Sequence, residues 1–333
     1  MNDRDYFWRA RTRQVRRSGP RSKRRPKHQD ALEGLVVSVD RGRYSLIVND
    51  VRVVAVKARE LGRDRIVVGD RVDVVGDTSG TQGTLARIVR IQPRRTVLHR
   101  TADDTDPVER EIVAGADQLV IVAALADPPF RPRMVDRLVT AGHVAGMEVL
   151  LVLTKADLVD TDTVAEITAL YTPLGVGIEV TGQDDAGDIV GLDRLQDRLT
   201  DRVSVLVGHS GVGKSTLVNA LVPDAERATG SVNVSTGRGR HTSSSAVALQ
   251  TPSGDWVIDT PGVRSFGLGH VSDEDIVASF ADLAEVTANC PRGCTHAEDS
   301  PDCELDVWLE KSEQTTLRAA RVDSLRRLLA ARN

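Results

Sequence analysis

The segment from Val207 to Thr216, VGHSGVGKST, admits few folds. It fits G-x-x-x-x-G-K-[ST] over Gly208 to Ser215, directly after the strand-like run VSVLV and at the head of the helix-forming STLVNAL. Such a loop works only where a strand delivers it and a helix leaves it, so that backbone N–H groups and a helix N-terminus converge on one anion. An α/β sheet with a phosphate site at the carboxyl end of one strand is therefore required. Gly208, Gly211 and Gly213 let the backbone of His209, Ser210, Val212 and Thr216 wrap phosphates. Lys214 places a cation between the terminal phosphates, which makes it a catalytic as well as a binding candidate, and Ser215 offers its hydroxyl to magnesium.

The surrounding pattern agrees. From about residue 112, near-continuous apolar runs alternate with helical segments: QLVIVAAL, RMVDRLVTAGHVAG, EVLLVL, DTVAEITALY, GVGIEV, GLDRLQDRL and VSVLVG, with SAVALQ and WVIDT as further strands. This predicts a parallel sheet covered on both faces. Two of its strands end in polar loops. TKAD, residues 154 to 157, follows EVLLVL; Asp157 can accept hydrogen bonds from both N1 and N2 of guanine, with the Lys155 stem over the ring and Thr154 and Ala156 completing the loop. A base lacking those donors would leave the carboxylate unpaired, so ATP is expected to be a poor ligand. Thr181 and Gly182, ahead of Gly191 and Leu192, can close the same pocket through backbone amides. DTPG, residues 259 to 262, ends WVI; Asp259 suits magnesium through water, and the Gly262 amide can sense a γ-phosphate.

The order of these loops is inverted. An ordinary GTPase has its phosphate loop first and its base-reading loop near the end, whereas here TKAD and VTG come first. A circular permutation explains this: the sheet survives if the old termini are joined and new ones opened ahead of the base-reading strand, because domain termini commonly lie close together. DTPG then leads directly into the carboxy-terminal segment, where a phosphate contact can pull on whatever follows. The residue after DTPG, where Ras-like proteins use Gln, is Val263, which cannot orient water; unaided hydrolysis is expected to be slow. In GRGRHTSSS, His241 reads either as the residue that positions the water or as a solvated or RNA-facing histidine, and Thr242 is the candidate switch hydroxyl for magnesium.

Charge divides the chain. Residues 1–30 carry 11 Lys and Arg against 3 Asp and Glu, residues 31–100 carry 13 against 8, and the remainder 20 against 37, so +8 and +5 precede −17. The basic third suits a polyanion partner, although a solvated basic tail would show the same balance. Residues 1–30 lack apolar periodicity and are expected to be a disordered arm. Five short alternating segments in residues 31–100, GLVVSVD, RYSLIVND, VRVVAVKA, RVDVVGD and TLARIVRI, suit an oligonucleotide-binding (OB) type β-barrel. Tyr44 is its sole aromatic, which favours phosphate and shape contacts over base stacking. The apolar runs are too short to cross a bilayer and the amino terminus lacks a secretory signal's apolar core, so a cytoplasmic protein is expected.

All three cysteines, Cys290, Cys294 and Cys303, cluster with His296 inside a mainly helical carboxy-terminal segment. Three thiolates and one imidazole complete the tetrahedral shell of a structural zinc ion. A disulfide plus a spare thiol is disfavoured in a reducing cytoplasm.

VVGDRV, IQPRRTVLHR, GHSGVGKSTLVNAL, GRGRHT, DTPGVRSFGL and CPRGCTH, in this order, resemble the circularly permuted, ribosome small-subunit-dependent GTPases of the RsgA/YjeQ family over roughly residues 31–305. The resemblance implies an α/β architecture: a permuted P-loop GTPase domain (residues 101–270) with an N-terminal OB-type β-barrel (31–100) and a C-terminal, mainly helical zinc-binding domain (271–333). It also implies GTP hydrolysis stimulated by the small ribosomal subunit and its rRNA during late maturation, with GTP, Mg2+ and one Zn2+ as ligands. A monomer without membrane association is expected. Thr154 stands where the family usually has Asn, and Thr181-Gly182 where it usually has Ser-Ala.

Overall fold

The computed structural model describes residues 28–101, 109–223, 246–261, 271–310 and 315–330. Most of the expected basic arm lies outside these residues. The alternating segments that follow become β1 (Leu32–Asp40), β2 (Arg43–Val48), β3 (Val51–Lys57), β4 (Arg71–Gly76) and β5 (Ala86–Ile91). Their order is β1-β2-β3-β5-β4, with β1 also paired to β4, so the sheet closes into a barrel. β3 and β5 run parallel and the other neighbours antiparallel. Val36, Leu46, Val53, Val72 and Ile88 fill the interior. Tyr44 joins them at 8% exposure, so it is withdrawn from any stacking role.

A hairpin of β6 (Val97–Thr101) and β7 (Glu109–Ala114), which periodicity alone did not disclose, connects the barrel to the next sheet. Gly69 fits against it only as glycine: its φ is +89°, and a Cβ there would stand 2.0 Å from the Ala114 carbonyl oxygen. The Ala114 N–H in turn donates to the Val68 carbonyl at 3.0 Å.

β8 (Gln118–Ala124) is buried at all seven positions, which only a central strand with both faces covered can be. β9 (Glu148–Thr154), β10 (Gly177–Val180), β13 (Val203–Gly208), β14 (Val247–Gln250) and β15 (Trp256–Asp259) complete the order β10-β9-β8-β13-β15-β14, and β11 (Gly182–Gln183) and β12 (Ile189–Val190) form a separate hairpin. Leu119, Ile121 and Ala123 face α1 (Pro132–Val144) and α2 (Thr161–Tyr171), whereas Val120, Val122 and Ala124 face α3 (Leu192–Leu199) and α4 (Lys214–Leu221). The expected parallel sheet is present with one exception. β14 runs antiparallel to β15, and on its other side Val247 pairs with Ser38 of β1, so barrel and GTPase-type sheet share one hydrogen-bonded ladder. A register shift between Val36 and Ser38 makes this possible, sending Val36 into the barrel interior and Val37 into the core of the larger sheet.

The carboxy-terminal segment folds as α5 (Asp273–Ala278), α6 (Ala281–Thr287), α7 (Glu304–Glu310) and α8 (Thr315–Ala330). Ser272 starts it with a reciprocal cap: its side chain accepts from Asp275 N–H while Asp275 accepts from Ser272 N–H. Ile276, Phe280, Leu283, Leu305 and Leu325 share one core with the α1 face of the sheet.

Arg94 holds the barrel to the hairpin. Its Nε and Nη2 donate to Asp70 at 2.7 and 2.9 Å, Nη2 also reaches the Arg65 carbonyl at 2.7 Å, and Nη1 lies 2.8 Å from Glu111 on β7. The Asp70 side chain is fully buried and also accepts from Val67 N–H at 2.8 Å. Arg94→Ala would leave that carboxylate without its countercharge, so urea unfolding is expected to show a loss of about 3–5 kcal/mol. Arg94→Lys should recover only part of it, since an ammonium cannot reproduce the bidentate fork.

Candidate functional site

The strand β13 delivers Gly208 and α4 opens at Lys214, as the phosphate-loop reading requires. Gly211 and Gly213 take φ of +85° and +90°, a left-handed backbone that other residues adopt only with strain. A Cβ at Gly208 would stand 2.7 Å from the Val122 carbonyl of β8. The loop is thus moulded against its neighbouring strand. Lys214 forms an ion pair with Asp259 at the end of β15, and the Thr260 hydroxyl donates to the Leu206 carbonyl at 2.7 Å, fastening the first half of DTPG to the phosphate strand. Ser215 is exposed one residue further on. A carboxylate and an ammonium therefore meet at one spot, and the Ser215 hydroxyl follows Lys214 directly in the chain. Hard oxygen donors of this kind suit Mg2+, which keeps much of its water, and the ammonium suits a phosphate.

Across β8 lies the TKAD loop, residues 154–157. Thr154 is buried, and its hydroxyl donates to the Val212 carbonyl of the phosphate loop at 2.6 Å; the Ala123 carbonyl, at 3.4 Å, is second to it. The hydroxyl has one proton, and it goes to the phosphate loop. Lys155 takes φ +59° and its ammonium donates to the Asp127 carbonyl, while Ala156 N–H donates to the Thr181 carbonyl at 3.1 Å. Asp157, in the short 3-10 turn Ala156–Leu158, accepts from Gln183 N–H at 2.9 Å. Gly182 packs closely on this carboxylate: a Cβ there would stand 2.9 Å from Asp157 Oδ1, so a larger residue would need the side chain to shift.

These two loops open onto one cavity of about 310 Å³. Thr154, Asp157, Thr181 and Gly182 line one side, and Gly213 and Thr216 the other. Asp157 and the loop ending at Lys214 thus face a shared space of nucleobase size. Sequence reasoning missed Gln183, Ile189, Leu158 and Leu217 in its lining. The signal for the first two was the turn QDDAGD: Asp184 Oδ1 accepts from Ala186 and Asp188 N–H at 3.0 and 2.9 Å, closing the β11–β12 hairpin. Gly191 packs on this wall, where a Cβ would meet the Val180 carbonyl at 2.5 Å. His241, Thr242, Gly262 and Val263 lie outside the described residues.

The expected Cys/His cluster assembles between α6 and α7. Ligand atoms of Cys290, Cys294, His296 and Cys303 all fall within 4.8 Å of one another. His296 Nδ1 stands 3.6, 3.5 and 4.0 Å from the three sulfurs in that order, close to the ~3.5–3.8 Å edges of a tetrahedron built on zinc–ligand bonds. Burial and the nearby Arg326 guanidinium hold His296 below the ordinary histidine range, which keeps it in the neutral form that binds metal. Burial pushes Cys290 up to about 11; it also raises Cys294, but hydrogen bonds from the His296 backbone, Cys303 and Ser300 outweigh it and hold that thiol low. A dication would draw all three to thiolates. Arg326 secures the loop from α8, donating to the His296 carbonyl and to Asp306, both at 2.9 Å.

Residues 91–269 match the family model described as RsgA GTPase. Among relatives, the "Small ribosomal subunit biogenesis GTPase RsgA" of Chlorobaculum parvum is 33% identical over 292 residues, covering 84% of this chain and 93% of its own length. The protein of the same name from Pseudomonas aeruginosa is 38% identical over 271 residues, with coverage of 80% and 76%. Among solved structures, YjeQ from Thermotoga maritima superposes with a TM-score of 0.68 at 24% identity, over 91% of this chain and all of that one. YloQ, titled a circularly permuted GTPase, gives 0.66 at 23% over 92% and 96%. With its loops in permuted order on this sheet, and relatives matched along most of their length, the chain belongs to the RsgA GTPase family.

Proposed function

We propose that this protein binds GTP with Mg2+ and hydrolyses it while engaged with the small ribosomal subunit during assembly of that subunit. The observation that carries this reading is the shared cavity, in which the proposed guanine acceptor Asp157 and the phosphate-loop residues Gly213 and Thr216 face one another. Asp157 would take the N1 and N2 donors of guanine, Lys214 would neutralise the terminal phosphates, and Ser215, Thr242 and Asp259 would hold the metal. His241 is the proposed water-positioning residue, supported by the absence of a side chain able to orient water at Val263. Domain limits near residues 30, 100 and 270 follow from the same reading. The barrel and arm would meet rRNA, and the Cys290–Cys294–His296–Cys303 cluster would hold one Zn2+ as a structural cross-link. No helix among the described residues is long and apolar enough to cross a membrane, and the proposed setting is a monomer in the cytoplasm.

Turnover of GTP by the full chain, with and without purified small subunits, tests the reading. Slow hydrolysis alone and a clear rise with subunits is expected. Equal rates would remove the ribosomal role, and no turnover in either case would leave a nucleotide-stabilised RNA-binding module. In competition against bound GDP, ATP should be weaker than GTP by a factor of up to about 10⁴, because adenine cannot satisfy the Asp157 carboxylate.

Zinc gives a separate check. Cys294→Ala is expected to lower bound zinc, read by elemental analysis, and to loosen the α6–α7 segment towards protease. Unchanged metal content would contradict the assigned shell.

A further inference from the structure

The loop between β8 and α1, residues 125–131, touches both the base loop and the phosphate loop. Leu125 N–H donates to the Thr154 carbonyl at 3.0 Å, and the Asp127 carbonyl receives the Lys155 ammonium. Pro128 lies against the phosphate loop, 3.6 Å from where a Cβ on Gly211 would be. Arg131, at the N-cap of α1, brings Nη1 to 3.2 Å from His209 Nε2, and His209 Nδ1 stands 3.0 Å from the Ser210 carbonyl. A guanidinium can only donate, so Nε2 accepts and the ring proton sits on Nδ1, where it meets that carbonyl. One unbroken chain of donors therefore runs from Arg131 through His209 into the backbone of the phosphate loop.

We infer that Arg131 is a positioning residue for the bound nucleotide, and that residues 125–131 brace the base loop against the phosphate loop. Two ends of the brace are visible: Lys155 on Asp127 fixes the stem proposed to cover the base, and Arg131 on His209 fixes the peptide beside the phosphates. Arg131 is exposed, so water competes for its bond and the contribution is modest. The inference rests on the nucleotide site proposed above.

Release of a fluorescent GDP analogue from the full-length protein, followed by stopped flow, tests it. Arg131→Ala and His209→Ala are each expected to speed release by about threefold, the scale of one partly hydrated hydrogen bond, with the melting temperature unchanged. The double variant should be no faster than either single one, since both break the same chain, and Arg131→Lys, which keeps one donor, should restore most of the effect. Wild-type release from Arg131→Ala, or effects that multiply in the double variant, would overturn the brace alone. Lys214→Ala separates the two levels: if it held the analogue as tightly as wild type, the site itself would fail and the brace with it.

Discussion

One buried hydrogen bond, from the Thr154 hydroxyl to the Val212 carbonyl, joins loops that lie 58 residues apart. Deprived of that donor, the carbonyl would be left buried and unpaired at a cost of about 1–3 kcal/mol. Its importance is geometric as much as energetic. The two loops leave β9 and β13, which are separated only by β8, and all three strands run parallel. Their carboxyl ends therefore rise on the same edge of the sheet, where ligands bind in open α/β folds. Chain order does not enter this geometry. A permuted connection can feed the same three strands, provided that a cross-strand contact fixes how closely the loops approach. Where Asn would offer an amide with two donors, Thr154 offers one hydroxyl proton, and it is spent on the phosphate loop.

Permutation does change what is attached to the site. β14 is the antiparallel member of the sheet, and through Ser38 it hands the ladder on to the barrel. Its other neighbour, β15, ends at Asp259, the partner of Lys214. The barrel thus stands two strands from the proposed phosphate site, on the strand that enters the described structure directly after residues 224–245 and their GRGRHT motif. On the far side, the core beneath α1 and α2 continues without interruption into the helices that carry the metal cluster. Contiguous packing of this kind is what coupling between a phosphate contact and two flanking domains requires.

The geometry of the candidate site was legible in sequence wherever a motif imposes its own backbone shape. Gly211 and Gly213 need positive φ, Lys214 must open a helix, and Asp259 must end a strand, so spacing alone specified them. Cys290, Cys294, His296 and Cys303 were legible for the same reason. Features that depend on tertiary contact were not. Gln183 contributes a backbone N–H, which carries no residue signature, and Ile189 lines the cavity through a two-residue strand too short to show periodicity. The direction of β14 could not be read either, because four residues, VALQ, look alike in parallel and antiparallel pairing. The β6–β7 hairpin was hidden because its strands, VLHRT and EREIVA, mix charged and apolar residues without regular alternation, and their register shifts between Leu98 and His99.

The arginines of α8 are tied to the protein itself. TLRAARVDSLRRLLA carries four of them, and each guanidinium has a partner within the fold. Arg318 lies 4.3 Å from the centre of the Trp308 ring, Arg321 pairs with Asp282 on α6, Arg326 with Asp306 and the metal loop, and Arg327 with Asp136 on α1. A cation held by a carboxylate releases few counterions on meeting a phosphate backbone, so this helix acts as a strap between the Cys/His segment and the helices on the sheet. On the barrel Arg71, Arg90 and Arg94 are likewise paired, with Glu33, Asp73 and Asp70. Arg43 and Arg87 are exposed and stand opposite Val56 on either side of it, across β2, β3 and β5. With Tyr44 folded inward, what this face offers an RNA is charge and shape without a stacking platform. The proposed rRNA contact therefore belongs to the barrel and the basic arm before it, while the carboxy-terminal helix fastens the Cys/His segment to α1 and α6.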